Sequence, residues 1–142
     1  MNRALLDTDL LSEVIKQKDP AVRARCRAYL LHHDRFTTSS VTVMEIVKGW
    51  RLAQRDDRID EFMRFAPQMD ILVFDTAAAE RAGRLEADLR RAGQPIGRAD
   101  SMIAAIAMVH GLELVTGNID HYARFHSLGY RLPLVNWRSP AP

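Results

Sequence analysis

The stretch Arg3-Ala4-Leu5-Leu6-Asp7-Thr8-Asp9-Leu10-Leu11-Ser12-Glu13-Val14-Ile15-Lys16 carries the fold in miniature. Arg3 to Leu6 is a short, largely apolar run closed by Asp7, which is how a buried strand reads. Leu10, Leu11, Val14 and Ile15 then recur at helical spacing, with Asp9 as the expected N-cap. A strand handing its chain directly to a helix is the repeating unit of an α/β layer.

The same unit recurs downstream. Asp19-Pro20 starts a second helix over Ala21 to His32, with Val22, Cys26, Tyr29 and Leu30 on one face. Phe36 to Ser40 is expected as a second strand. Thr42 opens a helix with Val43, Ile46, Val47 and Trp50 facing inward, and residues 51–64 are polar and helical. Ile71 to Phe74 is a third strand, closed by Asp75. Thr76 to Arg91 is a long alanine-rich helix ended by Ala92-Gly93. Gly97 to His110 is a helix stopped by Gly111, Leu112 to Val115 a fourth strand, and Leu132 to Val135 an edge strand interrupted by Pro133. Alternation of this kind predicts a mostly parallel central sheet of four to five strands flanked by helices.

Composition narrows the class. The chain has 142 residues, 47% hydrophobic and 27% charged, which fits one globular domain over 1–142. The lone cysteine, Cys26, excludes an intrachain disulfide and suits a reducing, cytoplasmic setting. Seventeen arginines and three lysines against 18 acids leave a net charge of +2, too small to announce nucleic-acid binding. No apolar run approaches the roughly 20 residues of a membrane span, and the N-terminus has the wrong charge for a secretory signal.

In parallel sheets ligands collect beyond the carboxyl ends of the strands, so acids placed there take priority. Asp7 follows the first strand, and Asn118 and Asp120 follow the fourth. Glu45 lies one turn into the helix after the second, and Asp100 in the first turn of its helix. Four segments can therefore bring oxygen ligands to one place, an arrangement suited to Mg²⁺ or Mn²⁺. Each residue also has a plain structural reading. Asp7 can cap a helix, Thr42-Val43-Met44-Glu45 fits a capping box, Asp100 suits a helix N-terminus, and Asp120 suits a turn.

Five segments, in order, resemble the PIN-domain family, VapC-type toxins in particular. They are Leu5-Leu6-Asp7-Thr8-Asp9, Ser39 to Glu45, Ile96 to Ala105, Val115-Thr116-Gly117-Asn118 with Tyr122 and Phe125, and Val135-Asn136-Trp137. The resemblance implies a PIN-like three-layer sandwich and a Mg²⁺- or Mn²⁺-dependent endoribonuclease, the toxin of a toxin–antitoxin pair. It also implies an RNA substrate hydrolysed to a 3′-hydroxyl and a 5′-phosphate, a homodimer, and a small VapB-like antitoxin through which alone operator DNA is met. Asp7, Glu45 and Asp100 match the family's acidic positions, with Asp7 and Asp100 as metal ligands and Glu45 on the attacking water. Asn118 stands where many members carry an acid, so Asn118 or Asp120 fills the fourth place, or three acids suffice. Thr8, Ser39 and Thr116 are the expected supporting hydrogen bonders.

Other readings remain in view. A catalytically weak PIN-fold module that only binds RNA or protein is one. Leu5 to Asp9 also fits the Asp-x-Asp of haloacid-dehalogenase-type phosphatases, but no lysine follows Lys48 to steady a phosphoryl group; a receiver domain fails for the same reason. No Gly-x-x-x-x-Gly-Lys is present for a P-loop. The histidine spacings do not suggest zinc, no histidine is expected at the strand ends, and Cys26 reads as core. Arg81, Arg84, Arg90, Arg91 and Arg98 form either an RNA-tracking stretch or a solvated helix face. Leu10 to Tyr29 forms either an apolar antitoxin groove or internal helix packing, and Trp50 and Met63 belong to core or dimer surface.

Overall fold

The computed structural model describes residues 1–138. Five strands form one parallel sheet in the order β3-β2-β1-β4-β5: β1 (Ala4–Leu6), β2 (Thr37–Ser39), β3 (Asp70–Leu72), β4 (Glu113–Val115) and β5 (Leu134–Val135). The chain builds outward from β1 to β3, then returns to the other side of β1 for β4 and β5. The strand order therefore reverses between β1 and β4 while the strands stay parallel, and the crossovers part there and leave a crevice.

The period-2 alternation of strands divides the interior in two. Leu5 and its partner Leu114 face one cluster; Leu6 and its partner Val115 face the other. The first cluster is covered by α5 (Thr76–Arg91) and α6 (Arg98–Val109), with Leu85, Leu89, Ile103 and Ile106 fully buried. The second lies under α1 (Thr8–Lys16), α2 (Pro20–His32), α3 (Ser40–Leu52) and α4 (Asp56–Phe65). This is the three-layer sandwich expected. Asp75 caps α5 by accepting from the Ala78 N–H, and Gly93, at a φ of 71° open to few other residues, turns the chain out of it. Among the described residues no helix is long and apolar enough to cross a membrane.

Local details depart from the sequence reading. Asp7, not Asp9, caps α1: its Oδ1 accepts from the Leu10 N–H at 2.8 Å. Ser39, not Thr42, caps α3, so the Thr42–Glu45 capping box does not form. The polar stretch 51–64 is divided by a turn between α3 and α4, and a 3-10 turn (Ala66–Gln68) leads into β3. Two single-turn helices not anticipated, α7 (Ile119–Tyr122) and α8 (Arg124–Ser127), follow β4.

Candidate active site

Asp7 stands where β1 ends, beside the crevice. Its backbone N–H continues the ladder to the Val115 carbonyl at 3.0 Å, which draws its side chain into the sheet's end at only 4% exposure. Thr116, fully buried after β4, donates its hydroxyl to the Asp7 carboxylate and accepts the Asn118 N–H at 2.9 Å. Burial nevertheless dominates. Together with the like charges of Asp9 and Asp100 it outweighs these hydrogen bonds and pushes the Asp7 carboxyl up to about 6.

Asp100 comes to the same end because α6 starts there and runs back antiparallel to the strands. Its two oxygens are fixed separately: Oδ1 accepts from the Tyr122 hydroxyl at 3.1 Å, and Oδ2 lies 2.9 Å from His121 Nε2. Glu45 points from α3 toward α1, where Thr8 donates its hydroxyl to Glu45 Oε1 at 2.5 Å. Behind it, the Thr42 hydroxyl lies 3.4 Å from Thr8 Oγ1 and 3.1 Å from Ser39 Oγ, so a chain of hydroxyls fixes the α1–α3 seam. The buried Tyr122 hydroxyl reports the whole cluster. Burial, then the negative charges of Asp100 and Asp7, its bond to Asp100, and the charge of Glu45 all hold its proton well above the ordinary phenol range.

Thus Asp7, Glu45 and Asp100 share one neighbourhood, and Thr8, Ser39 and Thr116 lie behind them. Among the described residues the side chains of Asn118 and Asp120 make no hydrogen bond or ion pair to this cluster, and both residues are exposed. His121 occupies the ground against Asp100 instead, correcting the expectation that no histidine sits at the strand ends. Tyr122 entered the sequence reading only within a motif; its role as hub comes from the fold. In the arginine stretch Arg84 pairs with Glu80 and Arg98 with Glu86, each at 3.4 Å, while Arg90 and Arg91 are exposed.

The donor set is all oxygen apart from His121, and it concentrates negative charge that burial and repulsion penalise at Asp7. That chemistry fits a hard cation held through one or two carboxylates and its own waters. It is not a closed cage: among the described residues no three Asp, Glu, His or Cys side chains are gathered to hold an ion alone.

A second feature lies at the other end of α1. An apolar cleft of about 490 Å³ opens between α1, α2, α3 and α4, lined by Ile15, Leu30, Phe36, Trp50, Phe62 and Phe65. Trp50 thus lines a cleft instead of facing inward, with the Arg58 guanidinium 5.7 Å from its ring centre. Val22 and Tyr29 are core, Met63 is exposed, and Cys26 is buried as expected.

These features define an α/β protein with an acidic site at the carboxyl ends of β1 and β4. The chain belongs to the PIN-domain family, which it matches over residues 4–125. It is 36% identical to the tRNA(fMet)-specific endonuclease VapC of Shigella flexneri, over 90% of this chain and 96% of that protein. It is 30% identical to ribonuclease VapC2 of Haemophilus influenzae over the same shares. The DNA-bound VapBC structure from Salmonella typhimurium superposes with a TM-score of 0.80 at 31% identity, covering 96% of this chain and 99% of that one.

Proposed function

We propose that the chain is an endoribonuclease of the VapC type, dependent on Mg²⁺ or Mn²⁺, and the toxin of a toxin–antitoxin pair. The observation that carries this reading is the meeting of Asp7, Glu45 and Asp100 around the Tyr122 hydroxyl at the crevice between β1 and β4. The relatives' names support RNA as the substrate class and make tRNA the first substrate to test.

Asp7 and Asp100 would hold the cation. Such an ion would supply polarisation of a phosphodiester and a lowered pKa for a water, so that hydroxide is available as the nucleophile. Glu45, steadied by Thr8, takes the proton of the attacking water. Tyr122 and His121 fix the Asp100 carboxylate, and Thr116 fixes that of Asp7, so neither must reorganise during reaction. Asn118 and Asp120 are assigned solvent-open rim positions on the segment that carries His121 and Tyr122.

A single domain acts as the unit, in the cytoplasm and as a homodimer. The apolar cleft receives an amphipathic antitoxin segment, and operator DNA is met only through that partner. The Salmonella neighbour, a DNA-bound VapBC complex, supports this arrangement.

The test is incubation of the purified chain with total RNA and with initiator tRNA, in Mg²⁺, Mn²⁺ or EDTA, followed by sequencing of the new ends. Discrete cleavage that needs metal and is lost in Asp7→Ala is the expected result. Firm RNA binding without cleavage in Mn²⁺ would replace the nuclease reading with that of a binding module.

A further inference from the structure

We propose that Arg138 is an RNA-phosphate contact at the lip of the acid cluster. The proposal rests on the ribonuclease reading above and adds a substrate-binding residue that none of the acidic motifs contains.

The placement of Arg138 is built. Trp137 before it is 2% exposed, its ring 5.5 Å from that of Tyr29 and 6.4 Å from that of Phe36. The Arg138 N–H is taken by Asn136 Oδ1 at 3.0 Å. An anchored residue and a local turn thus aim the side chain as the chain leaves β5. The guanidinium crosses to α1, with Nη2 2.8 Å from Asp9 Oδ2 and 3.8 Å from Glu13 Oε1. Its Nη1 lies over Gly117 in the turn after β4, so closely that a Cβ on Gly117 would overlap it. Arg138 therefore bridges the carboxyl ends of β1 and β4, across the crevice where the acids meet.

Charge gives this position its meaning. Asp7, Asp9, Glu13, Glu45 and Asp100 crowd one end of the sheet, and a polyanion approaching them is repelled. A guanidinium on the rim offers a planar fork of donors that matches phosphate oxygens two at a time. The Arg138 side chain is 34% exposed and that of its partner Asp9 51%. An ion pair this open to water contributes little, so exchanging a carboxylate oxygen for a phosphate oxygen costs little. A glycine at 117 is what makes room for the guanidinium there.

The test is fluorescence anisotropy of a labelled single-stranded oligoribonucleotide with the purified chain in EDTA, over a range of KCl concentrations, with thermal melts alongside. Arg138→Ala is expected to weaken binding about 5- to 10-fold at low salt. It should also flatten the salt dependence by about 0.7 in log–log slope, the loss of one phosphate contact on a single strand. Arg138→Lys should keep the slope while losing affinity by roughly 2- to 3-fold, because the charge remains and the fork does not. Gly117→Ala, which evicts the guanidinium without removing it, should weaken binding to an intermediate degree. Unchanged affinity and slope in Arg138→Ala, with only a lowered melting temperature, would make the residue a tie between α1 and the chain after β5 and overturn the proposal. Absence of RNA binding by the unaltered chain in EDTA would overturn this inference alone; absence of both RNA binding and RNA cleavage in Mn²⁺ would overturn the ribonuclease reading, and this inference with it.

Discussion

Replacing Asp7 by asparagine should make the metal-free protein more stable while removing its activity. Burial and two neighbouring acids raise the Asp7 carboxyl from 3.8 to about 6. A carboxyl raised on folding holds its proton more tightly in the folded chain, so ionising it costs stability. The cost is absent below the unfolded value near 3.8 and complete above about 6. A shift of roughly two pK units corresponds to about 3 kcal/mol. Asparagine keeps the α1 cap, since its side-chain oxygen accepts the Leu10 N–H as well as aspartate does. In EDTA at pH 8, Asp7→Asn should therefore melt about 6–12 °C higher, at roughly 2–4 °C per kcal/mol for a chain of this size. The gain should shrink to about half near pH 5 and vanish near pH 3.8. Mn²⁺ should raise the melting temperature of the unaltered protein and much less that of the variant. Melts of both proteins across this range check it by scanning fluorimetry. A variant less stable at pH 8, or a gain that does not change with pH, would refute the idea that Asp7 is held at an energetic cost.

Glu45→Gln should reduce cleavage by at least about 100-fold, the scale of a lost general base, while RNA affinity in EDTA stays the same or tightens as one repelling charge is removed; quantified gels and anisotropy separate the two. Tyr122→Phe keeps the buried ring but takes one donor from Asp100, and should cost about 1.5–3 kcal/mol in urea unfolding at neutral pH. Trp137→Ala empties a buried aromatic site beside Tyr29 and Phe36 and should cost about 3–5 kcal/mol by the same measurement. Leu30→Asp places a charge in the apolar cleft and should weaken antitoxin binding at least about 10-fold by calorimetry, with cleavage of RNA unchanged.

The framework was legible because its signals are local. Leu5-Leu6 and Leu114-Val115 are apolar pairs bounded by turn residues. Thr76 to Arg91 carries its cap and its terminating glycine in the sequence, and its span agrees with that of α5. Cap assignments slipped where two candidates stand close together. Asp7 and Asp9 both precede Leu10, and the ladder bond to Val115 selects Asp7. Thr42 had the spacing for a capping box, but Glu45 is drawn off by Thr8, thirty-seven residues away in the chain. The positions of the acids followed from the strand ends. Their partners did not, since His121 and Tyr122 ride on a single helical turn too short to show a period. On such a turn, moving from Asp120 to His121 rotates the side chain by about 100°, from open solvent onto Asp100. Arg138 carries no motif, and its place depends on where Trp137 anchors the chain end.

The slot between α1, α2, α3 and α4 leaves greasy aromatic surface uncovered when the chain stands alone. With the proposed antitoxin segment as its cover, a cell that lost that partner would face two problems at once: an unrestrained blade and a sticky handle. Clumping and proteolysis would compete with RNA cutting for the bare molecule. How long it stays dangerous would depend on its solubility as much as on its turnover number.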